Sequence, residues 1–178
     1  MININRRVML KKRNRLNRKE ITKRSSIIKK KLFDSKEYKN SKTIMFYVSF
    51  NSEVNTSIMI KESLKDKRVC VPIMKEKKLV ASLIKSTKEL NKKNKHGIVE
   101  PSRIKKIEKS KIDLVVVPGV AFDKNNHRIG YGKGFYDRFL ENFKGKKIGL
   151  AFSIQLLEII PKREWDVRVD KVITEKSR

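Results

Sequence analysis

Apolar side chains recur at roughly helical spacing along the first part of the chain, with basic residues between them. The apolar positions of this stripe are Val8, Met9, Leu16, Ile21, Ile27, Ile28 and Leu32. The stripe is imperfect, and the polar residue Asn17 lies near its middle. The pattern therefore predicts either one long helix over residues 5–33 or two helices broken near Asn17.

Short runs of β-branched and aromatic residues follow, separated by helix signals. The runs predict strands at residues 43–48, 68–73, 79–84, 112–118, 147–152 and 171–174. Helices or helical turns are predicted through Leu64 after a cap at Asn55 or Thr56, and at residues 86–89, 102–109, 136–143 and 153–158. Residues 91–95 are predicted to form a polar loop.

Strands that alternate with helices are typical of an α/β layered fold, so we expect a largely parallel central sheet flanked by helices. With 178 residues, the chain is expected to form a single domain over residues 1–178. Ligands of parallel sheets bind beyond the carboxyl ends of the strands. Two predicted loops stand at such ends, Ser49–Glu53 and Ala121–Gly134, and we expect the functional site there.

The chain has a net charge of +27, a balance that often marks nucleic-acid binding. However, the basic excess is spread over residues 1–40 and 75–111, and lysine greatly outnumbers arginine. This distribution favours solvated lysine-rich faces over a nucleic-acid site. We therefore expect small-molecule partners.

Cys70, the single cysteine, lies in an apolar run, which favours a buried and unpaired thiol. The basic N-terminal segment lacks the apolar core of a signal peptide, and the apolar stretch around residues 114–122 is too short to span a bilayer. We expect a cytoplasmic protein, monomeric and without a membrane partner.

The segment from Arg128 to Arg138 carries glycines at alternate positions, Gly130, Gly132 and Gly134. A glycine-rich turn between a strand and a helix lets the backbone approach an anion closely. Lys133 can reach a phosphate as a point charge, and Arg128 can flank the same group.

Asp137 follows the glycines and could bind a metal that neutralises phosphates, or it could simply complement the start of a helix. The spacing matches neither the P-loop nor the dinucleotide fingerprint. The residues themselves thus predict a phosphate-binding α/β enzyme.

Residues 116–137 as a whole closely resemble the signature of the 5-formyltetrahydrofolate cyclo-ligase family. Three further segments match in the same order: Ser49–Thr56, Gly97–Pro101, and the C-terminal stretch from Gln155 to Thr174. The resemblance covers essentially the whole chain. It implies ATP-dependent conversion of 5-formyltetrahydrofolate to 5,10-methenyltetrahydrofolate, through phosphorylation of the formyl oxygen and ring closure by N10.

The resemblance also assigns residues. It implies catalytic roles for Arg128 and Lys133, and Mg²⁺ binding by Asp137 and Asp166. ATP would contact Arg6, Arg128, Gly130, Tyr131, Gly132, Lys133, Gly134, Phe135 and Tyr136. Folate would contact Val48, Glu53, Tyr131 and Phe135.

Two positions depart from the family pattern. Arg6 aligns with the N-terminal arginine of the family, whereas Ile2 stands where a lysine is usual. Phe135 replaces a more common tyrosine and keeps the ring without the hydroxyl. The alternatives are a basic nucleic-acid-binding protein that uses residues 5–33, and a nucleotide-binding relative of the same fold that acts on another substrate.

Overall fold

The computed structural model describes residues 2–76, 78–94, 97–161 and 163–176. Its α-helices are α1 (Ile2–Asn14), α2 (Arg18–Asp34), α3 (Lys36–Lys39), α4 (Ser57–Ser63) and α5 (Phe135–Leu140). Its strands are β1 (Thr43–Met45), β2 (Arg68–Lys75), β3 (Lys78–Ile84), β4 (Leu90–Lys93), β5 (Val99–Pro101), β6 (Leu114–Val117), β7 (Ala121–Asp123), β8 (Arg128–Ile129), β9 (Lys146–Leu150), β10 (Leu156–Leu157) and β11 (Lys171–Ile173). Short 3₁₀ turns lie at Thr87–Glu89, Lys109–Lys111 and Ser153–Gln155.

A six-stranded sheet with the order β11-β9-β6-β1-β2-β3 forms the centre of the fold. Neighbouring strands from β11 to β2 pair in parallel, and β3 pairs antiparallel with β2. The prediction of a largely parallel sheet flanked by helices is confirmed. A smaller sheet, β10-β7-β8, occupies part of the predicted loop 121–134.

Both faces of the central sheet are buried, which explains the unbroken apolar run of β6. Along β1, Ile44 packs into one core cluster with α2, and Met45 packs into the cluster on the other face with α5. Cys70 belongs to the second cluster, and burial raises the pKa of its thiol to about 12. None of the helices in the described ranges is long and apolar enough to cross a membrane.

The N-terminal helical region is two helices. Asn17 caps α2, because its Oδ1 accepts a hydrogen bond from the Glu20 backbone N–H at 3.0 Å. The Glu20 carboxylate in turn accepts the Asn17 N–H at 3.1 Å. This reciprocal capping box starts a new helix at Arg18, so the alternative prediction of a single long helix is wrong.

Two predictions in the middle of the chain are wrong. Residues 102–108 do not form a helix: Leu83 N–H donates to Lys105 O and Ile107 N–H to Ala81 O along the edge of β3, and Lys109 begins a 3₁₀ turn. Residues 91–94 do not form a simple loop, since β4 pairs antiparallel with β5; Lys95 lies outside the described residues.

Several predicted elements are present with different bounds. The strand predicted over 43–48 ends at Met45, although Phe46 N–H still donates to Cys70 O. The helix predicted over 136–143 is α5, which ends at Leu140. The helical turn predicted over 153–158 is a 3₁₀ turn followed by β10.

Candidate active site

A cavity of about 860 Å³ opens where the chain leaves β1 and β6. Tyr47, Val48 and Glu53, which follow β1, line one wall, and Pro118 follows β6 into the cavity. The glycine-rich segment 128–138 forms the opposite wall. Both loops that the sequence placed at strand ends therefore face the same space, whose size is typical of small-molecule sites.

The glycine-rich segment bends sharply through left-handed backbone. Gly132 has φ +96° and Gly134 has φ +63°, a region that residues with a Cβ rarely adopt. Arg6 on α1 fastens this bend, because its Nε donates to Gly130 O at 2.8 Å. Its guanidinium also lies beside Gly132, where a Cβ would be only 3.4 Å from Nη2. Ile2, one turn earlier, lines the cavity as well.

Arg128 is buried in the cavity wall and already bonded. Its Nη1 donates to Val167 O and its Nη2 to Asp137 Oδ1, both at 2.8 Å. Burial lowers the pKa of the Arg128 guanidinium, and the neighbouring Asp137 carboxylate opposes that shift. Arg128 thus ties the glycine-rich segment to the C-terminal stretch that carries Asp166. Lys133 lies on the same wall and is exposed.

Glu53 is a buried carboxylate, 8% exposed, that faces the glycine-rich segment. Its Oε2 accepts the Phe50 N–H at 2.9 Å, and its Oε1 accepts the Tyr131 hydroxyl at 2.9 Å. Burial raises the pKa of Glu53, while these hydrogen bonds and the charge of Arg13 act in the opposite direction. The two loops therefore meet through a direct hydrogen bond.

Arg13 is a residue that the sequence reasoning missed. Its side chain is 2% exposed, and its Nη2 donates to the Tyr131 hydroxyl at 2.7 Å. Its Nε donates to Ser52 Oγ at 3.1 Å. The available signal was its position four residues after Met9, on the apolar face of α1 rather than on the basic one.

Two tyrosines in the cavity wall differ in their hydrogen bonding. The buried Tyr47 hydroxyl donates to Val54 O at 2.9 Å. The buried Tyr136 hydroxyl has no hydrogen-bond partner in the described part of the chain. Because buried polar groups are normally paired, this hydroxyl is available to a ligand.

The remaining predicted contact residues also lie at the cavity. Val48 and Phe135 are half-buried there, and the Arg138 guanidinium lies 5.2 Å from the centre of the Phe135 ring. The central element 97–101 contributes Glu100, whose Oε1 accepts the Met74 N–H and the Asn94 side-chain amide. The β4–β5 hairpin is thereby fixed as a third wall.

The two residues predicted to bind metal both line the cavity. Asp137 Oδ1 accepts hydrogen bonds from Arg128 and the Val167 N–H, and Asp166 Oδ2 accepts the Arg163 N–H. Within the described ranges, no group of three or more His, Cys, Asp or Glu side chains is placed to hold a metal ion. Carboxylate oxygens are ligands that Mg²⁺ prefers, and an ion held by two of them would take its other oxygen ligands from nucleotide phosphates and water.

Comparisons with known proteins agree with the resemblance. The model of the 5-formyltetrahydrofolate cyclo-ligase family matches residues 3–175. The Mus musculus protein named 5-formyltetrahydrofolate cyclo-ligase is 31% identical over an alignment of 187 positions that covers 96% of this chain and 92% of the mouse protein.

Two solved structures are similar over the whole fold. The NMR structure of Aquifex aeolicus 5,10-methenyltetrahydrofolate synthetase gives a TM-score of 0.90 at 34% identity, covering 99% of this chain and 90% of that one. The Mycoplasma pneumoniae 5,10-methenyltetrahydrofolate synthetase gives 0.80 at 28% identity, covering 98% and 99%. The chain therefore belongs to the 5-formyltetrahydrofolate cyclo-ligase family and is an enzyme of the ligase class.

Proposed function

We propose that this protein converts 5-formyltetrahydrofolate and ATP to 5,10-methenyltetrahydrofolate, ADP and phosphate. The observation that supports this most is the meeting of two loops at one cavity. The Glu53 loop matches the family's folate side and the glycine-rich segment matches its ATP side, and Tyr131 joins them by a 2.9 Å hydrogen bond. Two substrates bound there would have their reacting ends side by side.

The proposed reaction has two chemical steps. The formyl oxygen attacks the γ-phosphorus of ATP, and ADP leaves. The formyl oxygen, a poor leaving group, is thereby converted to a phosphate ester. N10 then attacks the formyl carbon, loses its proton, and phosphate departs with the original formyl oxygen. N10 is tethered to the same molecule, so positioning and charge neutralisation are the main tasks of the protein.

The glycine-rich segment is proposed to hold ATP. Lys133 is exposed on the cavity wall and is suited to contact the phosphates as a point charge. Arg6 is proposed to keep the bend at Gly130 and Gly132 in shape, which leaves backbone N–H groups for the phosphates. Arg128 would act from the wall, where Asp137 and Val167 hold it in place.

The folate is proposed to bind against Glu53, Val48, Tyr131 and Phe135. The pterin edge offers an amino group and a ring N–H side by side, and an ionised carboxylate accepts both. Glu53 already accepts one hydrogen bond on each oxygen, and each oxygen has a second lone pair for the ligand. Phe135 offers ring packing in place of the hydroxyl that a tyrosine would supply.

Asp137 and Asp166 would hold Mg²⁺ where it accompanies ATP. When bound, the ion would neutralise part of the phosphate charge. The carboxylate of Asp137 also pairs with Arg128. The same residue would therefore bind Mg²⁺ and hold the Arg128 side chain in the cavity wall. We further propose that the protein acts on small molecules as a cytoplasmic monomer.

The proposal is tested by mixing the protein with 5-formyltetrahydrofolate and MgATP. The product has a more extended conjugated system, so absorbance should shift to longer wavelength with stoichiometric formation of ADP. Omission of ATP provides the baseline. A correctly folded protein that gives no ATP-dependent shift would refute the assignment.

A further inference from the structure

Arg13 connects three parts of the molecule that are far apart in sequence. From α1, its guanidinium donates to Ser52 Oγ and to the Tyr131 hydroxyl. The neighbouring Asn14 side chain accepts a hydrogen bond from the same Ser52 hydroxyl. The Tyr131 hydroxyl in turn donates a hydrogen bond to Glu53 Oε1. The folate-side loop and the glycine-rich segment are thus held by one buried cation.

A buried guanidinium is costly unless its charge is compensated. Within the described part of the chain the Arg13 side chain makes no direct ion pair, and its hydrogen-bond partners are the Ser52 and Tyr131 hydroxyls. The charge that compensates it is the Glu53 carboxylate, one hydroxyl away. The guanidinium carbon also lies 5.9 Å from the centre of the Tyr131 ring. Such an arrangement holds Glu53 in position and favours its ionised form against the effect of burial.

Resting on the function proposed above, we propose that Arg13 is a positioning residue for folate. It holds Tyr131 and the Ser52–Glu53 turn so that the Glu53 carboxylate faces the cavity as an anion. Arg13 itself is too deeply buried to make the main contact with the ligand. It acts through Glu53 and Tyr131.

The other groups that face Glu53 cannot replace this charge. They are Tyr47 after β1, Tyr131 in the glycine-rich segment and Tyr136 on α5. Burial, together with the Glu53 charge, raises the pKa of each of these tyrosines, for Tyr131 to about 12. All three stay neutral near neutral pH. Arg13 is therefore the cation that opposes the burial of Glu53.

The test measures binding of 5-formyltetrahydrofolate without ATP, by calorimetry across the mildly acidic to neutral range. The variants are Arg13→Gln, Arg13→Lys and Tyr131→Phe, with Arg7→Gln as a matched control on the exposed side of α1. Binding of an ATP analogue is measured in parallel. The titration of the ligand itself is common to all variants and cancels in the comparison.

In the wild type, folate affinity should fall as pH decreases through the raised pKa of Glu53. Arg13→Gln removes the positive charge, so this fall should occur at higher pH, and neutral-pH affinity should drop by about ten-fold or more. Arg13→Lys should keep the midpoint near the wild-type pH. Tyr131→Phe should weaken folate several-fold, and Arg7→Gln should match the wild type. Affinity for the ATP analogue should change much less than that for folate.

A purely structural role for Arg13 would lower affinity equally at every pH and leave the midpoint unchanged, and that result would overturn the proposal. Wild-type folate affinity in Arg13→Gln would overturn it too. If Arg13→Gln does not fold, unchanged affinity in Tyr131→Phe or a moved midpoint in Arg13→Lys contradicts the proposal. Absence of folate binding by the folded wild type would refute the proposed function instead.

Discussion

Replacing Tyr136 with phenylalanine should stabilise the ligand-free protein and weaken its catalysis. The Tyr136 ring packs between the two core clusters, whereas its hydroxyl has no hydrogen-bond partner among the described residues. A buried hydroxyl left unpaired costs about 1–3 kcal/mol. Removing it should raise the free energy of unfolding by about 1 kcal/mol, or Tm by about 2–4 °C for a chain of this length.

The same hydroxyl should matter when a ligand fills the cavity. A neutral hydrogen bond contributes about 0.5–1.5 kcal/mol, so its loss should lower kcat/KM by about two- to twelve-fold. Ring packing is unchanged in Tyr136→Phe, and no other effect on turnover is expected. If Tyr136→Phe gains stability and loses activity, the Tyr136 hydroxyl is unpaired in the free protein and forms a hydrogen bond to a ligand during turnover.

Tyr47→Phe provides the matched control. Its hydroxyl is equally buried in the same wall but donates to Val54 O at 2.9 Å. The substitution leaves that carbonyl without its partner, so the free energy of unfolding should fall by about 1 kcal/mol. The two chemically identical substitutions are thus expected to change Tm in opposite directions.

Both variants can be compared with the wild type by thermal denaturation without ligand and by the absorbance assay with both substrates. A lower Tm for Tyr136→Phe would mean that its hydroxyl has a partner in the free protein. Unchanged kcat/KM would mean that it faces no ligand. Either result refutes the reasoning.

Three further predictions concern other parts of the molecule. Lys133→Ala should lower kcat/KM for ATP by about a hundred-fold with little change in Tm, whereas the exposed Lys144→Ala should do neither. Asp137→Asn should raise the Mg²⁺ concentration that gives half-maximal turnover, measured by titration after chelation. Gly149→Ala should lower the free energy of unfolding by about 1–3 kcal/mol, because its Cβ would lie 2.5 Å from the Phe122 ring. Near-wild-type activity of Lys133→Ala would contradict the first prediction. Unchanged Mg²⁺ dependence of Asp137→Asn would contradict the second, and unchanged Tm of Gly149→Ala the third.

The elements of the sheet were predictable where burial is complete. Strand β6 was predicted because four consecutive apolar residues can be accommodated only with both faces covered. The break near Asn17 was predicted only as one of two alternatives, from the imperfect apolar stripe, and the capping box of Asn17 and Glu20 in the structure decides between them.

Residues 102–109 show why other elements were not predictable. Ile104 and Ile107 have helical spacing among lysines, yet Ile104 is 52% exposed. The backbone of this segment bonds to the edge of β3 instead. The same tertiary effect explains β4, whose polar sequence resembles a loop until β5 pairs with it.

The glycine-rich segment was predictable as part of the cavity wall from its own local pattern, whereas Glu53 was predicted only through the resemblance of residues 49–56 to the family and the position of its loop at a strand end. Arg13 was not predictable, since its partners Ser52 and Tyr131 lie 39 and 118 residues away. In the sequence it is one cation among many on a basic helix. Only its position on the apolar face of α1 separates it from the solvated ones.

The central claim is that both substrates react in one cavity through the formyl oxygen. It is tested most directly with 5-formyltetrahydrofolate that carries oxygen-18 in the formyl group, incubated with MgATP and the protein. Mass spectrometry of the released phosphate should show the label in the phosphate formed during turnover. Unlabelled phosphate, with the oxygen-18 recovered in water, would contradict the claim.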